Sequence, residues 1–140
     1  MKPALFIELN GPVLIPSHGN ADPVLRAEIS DYAKAFLHWA TQHFHVAWLT
    51  DRSPRDAFHV AEKLGLAQDA VSCHGFDVSK IEVLDKTQHK NFAWLDSELI
   101  PAEVAWLAKH GHTDQFFSVD PLVGVTPEHK KQLEEFLRRK

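Results

Sequence analysis

The chain has 140 residues, of which 44% are apolar and 24% charged, and its 15 basic and 19 acidic side chains give a net charge of −4 with histidine neutral. That length predicts one domain over residues 1–140 with a core of its own, and the acidic balance leaves no basic footprint for nucleic acid. The apolar run after Lys2 is too short for a signal peptide or membrane span and is interrupted by Glu8, while the single cysteine, Cys73, excludes an internal disulfide and suits the cytoplasm.

Taken in order, Ala4-Leu5-Phe6-Ile7-Glu8-Leu9-Asn10-Gly11-Pro12-Val13-Leu14 reads as a buried strand that ends in two polar side chains and a Gly-Pro break. Alternation along a strand would place Glu8 and Asn10 on one side, with Leu9 opposite. Residues 15–23 hold two prolines, a glycine, an asparagine and a serine, and read as a loop. Leu25, Ile29, Tyr32, Ala33, Phe36 and Ala40 recur every three or four residues, which predicts an amphipathic helix over about 24–42. Val46-Ala47-Trp48-Leu49 is a second strand ending at Thr50-Asp51. Ser53 then caps a helix opened by Pro54, with Asp56 placed as in a capping box and Ala57, Val60, Ala61 and Leu64 inward.

A weaker strand is expected over 70–73, then a turn at Gly75 and a short helix capped by Ser79. Phe92-Ala93-Trp94-Leu95 forms a fourth strand ending at Asp96-Ser97-Glu98. Pro101 opens a helix that Gly111 closes, residues 115–119 form a fifth strand, and Thr126-Pro127 opens the last helix. Trp39, Trp48, Trp94 and Trp106 all fall on strands or inward stripes. Strands alternating with helices in this way specify an α/β fold, a three-layer α/β/α Rossmann-like arrangement around a five-stranded parallel sheet.

In such a sheet every carboxyl end faces one rim, where open α/β folds place ligands. Glu8, Asn10, Thr50, Asp51, Asp96, Ser97 and Glu98 gather there by this logic, and Lys80 lies within reach. Carboxylates suit Mg2+, and a hydroxyl with an ammonium suits phosphate oxygens, so the set has the parts of a phosphoryl-transfer site. Other signals point less far. His43 with His45 and His110 with His112 fall at helix ends, where imidazole suits the exposed carbonyls, and no cysteine or carboxylate completes a zinc set. Cys73 beside His74 reads as a buried thiol. Asp51 and Arg52 either touch the rim or form an ion pair at the helix start.

The pattern resembles the haloacid dehalogenase-like (HAD-like) superfamily of phosphatases and phosphotransferases, and within it a small bacterial group without a cap domain. Phe6-Ile7-Glu8-Leu9-Asn10-Gly11-Pro12-Val13-Leu14 stands where that superfamily has a hydrophobic strand followed by Asp-x-Asp-Gly. Trp48-Leu49-Thr50 is similar to its second motif, and Phe92-Ala93-Trp94-Leu95-Asp96-Ser97-Glu98-Leu99 to its fourth. Lys80 is the better match for the third-motif lysine, ahead of Lys86 and Lys90. The run from Val119 to His129, with its Gly124-Val125-Thr126 step into the last helix, also resembles that group. The resemblance implies catalytic roles for Glu8, Asn10, Thr50 and Lys80, and a Mg2+ site at Glu8, Asn10 and Asp96.

Three positions depart from the pattern: Glu8 and Asn10 stand where the resemblance implies aspartates, and Ser97 replaces the second acid of the fourth motif. A misplacement of about 1 Å in a reacting group is worth on the order of 10²-fold. A lost general acid is worth roughly 10²–10⁴-fold. The expectation is therefore a HAD-like domain with an eroded site, weak or absent phosphatase activity, and retained binding of Mg2+ or a phosphorylated ligand or protein partner. The alternative is an active Mg2+-dependent phosphohydrolase with Glu8 as nucleophile. A receiver-like signalling domain fits less well, because its acceptor aspartate would follow the third strand, which here ends in Ser72-Cys73-His74. About a dozen loop residues are expected between the first strand and first helix. Without a cap, a partner or second subunit would supply any lid.

Overall fold

A computed structural model describes residues 2–67, 69–76, 79–87 and 91–139. In chain order the elements are β1 (Ala4–Ile7), β2 (Leu14–Ile15), β3 (Glu28–Ile29), α1 (Ala33–His43), β4 (His45–Leu49), α2 (Pro54–Lys63), β5 (Val71–His74), α3 (Ile81–Thr87), β6 (Phe92–Asp96), α4 (Pro101–Lys109), β7 (Phe116–Ser118) and α5 (Pro127–Arg138). A 3₁₀ turn at Thr113–Gln115 leads into β7.

β1 has no polar residue and is buried along its whole length, as a central strand covered on both faces must be. It pairs in parallel with β4 on one side and β6 on the other, and the five-stranded order is β5-β4-β1-β6-β7. Alternation then divides the core. Leu5, Ile7 and Trp48 face Phe36 and Ala40 of α1, Val60 of α2, and Leu133 and Phe136 of α5. Phe6, Leu49 and Trp94 face Val83 and Leu84 of α3 and Leu107 of α4. The architecture is a Rossmann-like α/β/α sandwich, as the alternation of elements requires. Trp48 and Trp94 are fully buried, whereas Trp39 and Trp106 pack on the core edges.

Two expectations are corrected between β1 and α1. The helix begins at Ala33, not near residue 24. Arg26 takes φ +55, a left-handed conformation that no right-handed helix tolerates. Asp22 Oδ1 accepts from the backbone N–H groups of Val24 (2.9 Å) and Leu25 (3.1 Å), which sets a turn instead. Glu28 and Ile29 then pair antiparallel with Ile15 and Leu14, so the connection is residues 8–32 with a small hairpin inside it rather than about a dozen loop residues. Leu25 and Ala33 are buried and Ile29 half-buried, and their spacing of four residues mimics a helix stripe.

The hairpin is tied down at Gly124, which takes φ +85 in the β7–α5 connection. A Cβ there would stand 2.4 Å from Ser30 Cβ and 2.9 Å from the Pro12 carbonyl oxygen. That carbonyl accepts from Val125 N–H (2.9 Å) and from the Ser30 hydroxyl (3.2 Å). Among the described residues no helix is long and apolar enough to cross a membrane.

Candidate active site

Glu8 is the first residue beyond β1, and its N–H still donates to the Leu95 carbonyl at 3.1 Å. Strand alternation therefore governs it, and its side chain falls on the Phe6 face, toward α3. Lys80 immediately precedes α3 and reaches back to the rim, with Nζ 3.1 Å from Glu8 Oε1 and also bonded to Asp96 Oδ2 at the end of β6. Glu8 Oε2 accepts from Leu9 N–H at 2.7 Å, and the Thr50 hydroxyl donates to the same carboxylate. Asp96 Oδ1 accepts from Ser97 N–H at 2.7 Å and from Glu98 N–H at 3.5 Å. Glu8, Thr50, Lys80 and Asp96 are all buried.

Two buried carboxylates share one ammonium, so the cluster carries one surplus negative charge when all three are ionised. Burial raises the pKa of Glu8; Lys80 and the Thr50 hydroxyl pull it back only in part, and Asp96 adds to the rise. Burial likewise raises Asp96 against the pull of Lys80. Burial alone would lower Lys80, but the attraction of Asp96 and Glu8 outweighs it, and the ammonium is held above its ordinary value.

The backbone that carries Lys80 is fixed by Glu103, a buried carboxylate in the first turn of α4. Its Oε1 accepts from Ile100 N–H at 3.1 Å, and its Oε2 accepts from the Ser79 hydroxyl at 3.2 Å and from Lys80 N–H at 3.3 Å. Sequence reading did not single out Glu103. Its only local signal is its place three residues after Ile100, at the start of a helix opened by proline.

Asn10 does not join this cluster. β1 ends at Ile7 and the chain turns at Gly11 (φ +105), so alternation no longer sets the Asn10 direction. Its Oδ1 accepts from Arg52 Nε at 2.7 Å, and the residue is exposed. Gly11 lies close against Ser97, where an added Cβ would meet Oγ at 2.9 Å. Arg52 does both things the sequence allowed: it touches the rim and forms the ion pair with Asp56 at 3.1 Å. The Ser53 hydroxyl caps α2 by accepting from Asp56 N–H. Lys86 lies exposed on α3, and Lys90 falls outside the described residues.

Cys73 is exposed rather than buried, because β5 is the outer strand of the sheet. The rings of His110 and His112 stack on each other and pack at a tilt against Trp106, and His112 Nδ1 lies 2.6 Å from Gln115 Oε1. A surface cleft of about 570 Å³ runs along α5 past Phe117 and Arg138 and includes none of the rim residues.

The carboxyl rim of the parallel sheet brings Glu8, Thr50, Lys80 and Asp96 together, and the fold around them is shared with solved phosphatase structures. The chain superposes over 99% of its length on the structure of Fcp1, an essential RNA polymerase II CTD phosphatase, with a TM-score of 0.52 and 11% identity. It is similarly close to fission yeast RNA polymerase II CTD phosphatase Fcp1 bound to beryllium fluoride, with a TM-score of 0.52, 12% identity and 99% of this chain covered. It spans about half of either structure, 50% and 52%. No protein-family model and no curated protein sequence matches the chain.

The donor set can be tested against Mg2+. Glu8 and Asp96 supply hard carboxylate oxygens, and the surplus negative charge that the cluster carries when both are ionised favours a cation. The Asn10 amide oxygen is taken by Arg52, so only its backbone carbonyl is available. Among the described residues no group of three or more His, Cys, Asp or Glu side chains converges as a dedicated cage. The residues fit an ion that keeps most of its waters, which Mg2+ commonly does.

Proposed function

We propose that this chain is a HAD-like domain whose phosphoryl-transfer site is eroded, with weak or no phosphatase activity, and whose rim binds a phosphorylated ligand. The observation that carries the reading is the state of the two catalytic carboxyl positions. The Glu8 carboxylate is held by Lys80, Thr50 and Leu9 N–H, and position 10 carries an amide bonded to Arg52. An amide cannot protonate a leaving group, and a glutamate places its oxygen one methylene beyond an aspartate's. Mg2+ held by Glu8 and Asp96 would offset the charge of a bound phosphate. Lys80 keeps the two acids close and favours their ionised forms against the effect of burial, and Thr50 orients Glu8. We also read the fold as capless, supported by a β1–α1 connection taken up by a turn and a small hairpin.

Hydrolysis of an aryl phosphate with and without Mg2+ tests this. The native protein is expected to be inert or nearly so, and Glu8→Asp/Asn10→Asp to gain Mg2+-dependent turnover. Native turnover that disappears in Glu8→Gln would establish Glu8 as a working nucleophile and overturn the reading.

A further inference from the structure

Arg52 joins three segments that lie far apart in sequence. Its Nε donates to Asn10 Oδ1 at 2.7 Å, and its Nη1 donates to the Leu25 carbonyl and to Asp56 Oδ2, each at 3.1 Å. Asn10 belongs to the turn after β1, Leu25 to the hairpin connection, and Asp56 to the first turn of α2. The guanidinium starts from an anchored peptide, because Arg52 N–H donates to Thr50 Oγ1 at 3.2 Å. A planar fork of donors can meet three acceptors in fixed directions, which a lysine ammonium on a flexible stem does not reproduce.

We propose that Arg52 is a positioning residue that latches the position-10 side chain toward α2 and away from the Glu8–Lys80–Asp96 cluster. The withdrawal of position 10 from the chemistry is then a matter of orientation as well as of residue type. A carboxylate placed there by substitution is captured by the guanidinium more firmly than the native amide, since charge-assisted bonds are stronger than neutral ones. The other charged groups beside the latch are Asp56, which shares Nη1, and Asp51, the exposed preceding neighbour. The inference rests on the reading of this rim as a phosphoryl-transfer site only for its consequence on activity; the latch itself rests on the contacts.

The test is a double-mutant cycle by urea unfolding, in EDTA, on the native protein, Asn10→Asp, Arg52→Met and the pair together. Asn10→Asp is expected to lower the unfolding constant about fivefold when Arg52 is present and not in the Arg52→Met background. An Arg52 that only supports the fold would destabilise equally whatever stands at position 10, and additivity within twofold would overturn the latch. If Arg52→Met does not fold, Arg52→Gln replaces it in the same cycle. Activity forms the second arm: Glu8→Asp/Asn10→Asp/Arg52→Met is expected to hydrolyse an aryl phosphate about tenfold faster than Glu8→Asp/Asn10→Asp. Equal measurable rates would overturn the latch as the restraint on activity. Silence in both, with the coupling present, would overturn the phosphoryl-transfer reading and leave the latch standing.

Discussion

Glu8 and Asp96 depend on one lysine for their place in the interior, and that dependence has measurable consequences. Lys80→Met would leave two buried carboxylates without a counter-charge, a change worth about 3–5 kcal/mol of stability. Adding Glu8→Gln to that variant should return part of the loss, which urea midpoints of the three proteins will show. The pH dependence follows from the raised pKa values of both acids. Below their ordinary values of 4.5 and 3.8, each is protonated folded or unfolded and its contribution to stability is fully present. As pH rises through the raised folded values that contribution is lost, because burying the charged form is what the fold resists. Lys80, also raised, keeps its contribution up to its ordinary value of 10.5 and loses it only above that. Native stability should therefore carry a falling component from about pH 4 upward that Glu8→Gln reduces. Half-buried Asp22 and exposed Glu135 shift the opposite way, but they are common to both proteins and cancel in the comparison. Parallel urea-midpoint curves for native and Glu8→Gln between pH 4.5 and 7.5 would refute the argument.

The elements differ in how openly the sequence declares them. β1, β4 and β6 are apolar runs bounded by polar residues, and their ends by themselves place Glu8, Thr50 and Asp96 at one rim. The hairpin of β2 and β3 was hidden, because Leu25, Ile29 and Ala33 keep a helical spacing while Arg26 adopts a conformation its side chain does not announce. Long-range placement was hidden for the same reason. Nothing local in Glu103 shows that it will meet Lys80, and nothing in Asn10 shows that β1 stops before it. Gly124 is the element-scale test of the hairpin's anchorage. Gly124→Ala demands a left-handed alanine and a Cβ 2.4 Å from Ser30 Cβ, so a loss of about 2–4 kcal/mol is expected. Ser30→Gly in the same protein should recover the part of the steric cost that Ser30 imposes, but neither the approach to the Pro12 carbonyl oxygen nor the backbone share. Full stability of Gly124→Ala in urea would mean that the hairpin is not fixed at this point.

For the molecule as a whole, the open question is whether charge at the rim still couples to the stability of the fold. The cluster of Glu8, Asp96 and Lys80 sits between the central strand, its neighbour β6 and the start of α3, so an ion held there touches the middle of the sheet rather than a surface loop. Binding to the native state alone raises stability by an amount set by concentration over affinity. With a dissociation constant of about 1 mM, 10 mM Mg2+ adds about 1.4 kcal/mol, or roughly 4 °C in the melting temperature of a domain of this size. Asp96→Asn removes one of the two carboxylates and should abolish most of that rise, whereas Asp114→Asn, in the 3₁₀ turn before β7, should leave it intact. Ca2+ at the same concentration separates site binding from ionic strength, since the larger ion asks for more oxygen ligands than two carboxylates and a backbone carbonyl provide. A melting temperature that rises equally with both ions, or equally in native and Asp96→Asn proteins, would show that the surplus charge at the rim does not select a cation. Any phosphorylated ligand at the rim would then have to be held by protein groups alone.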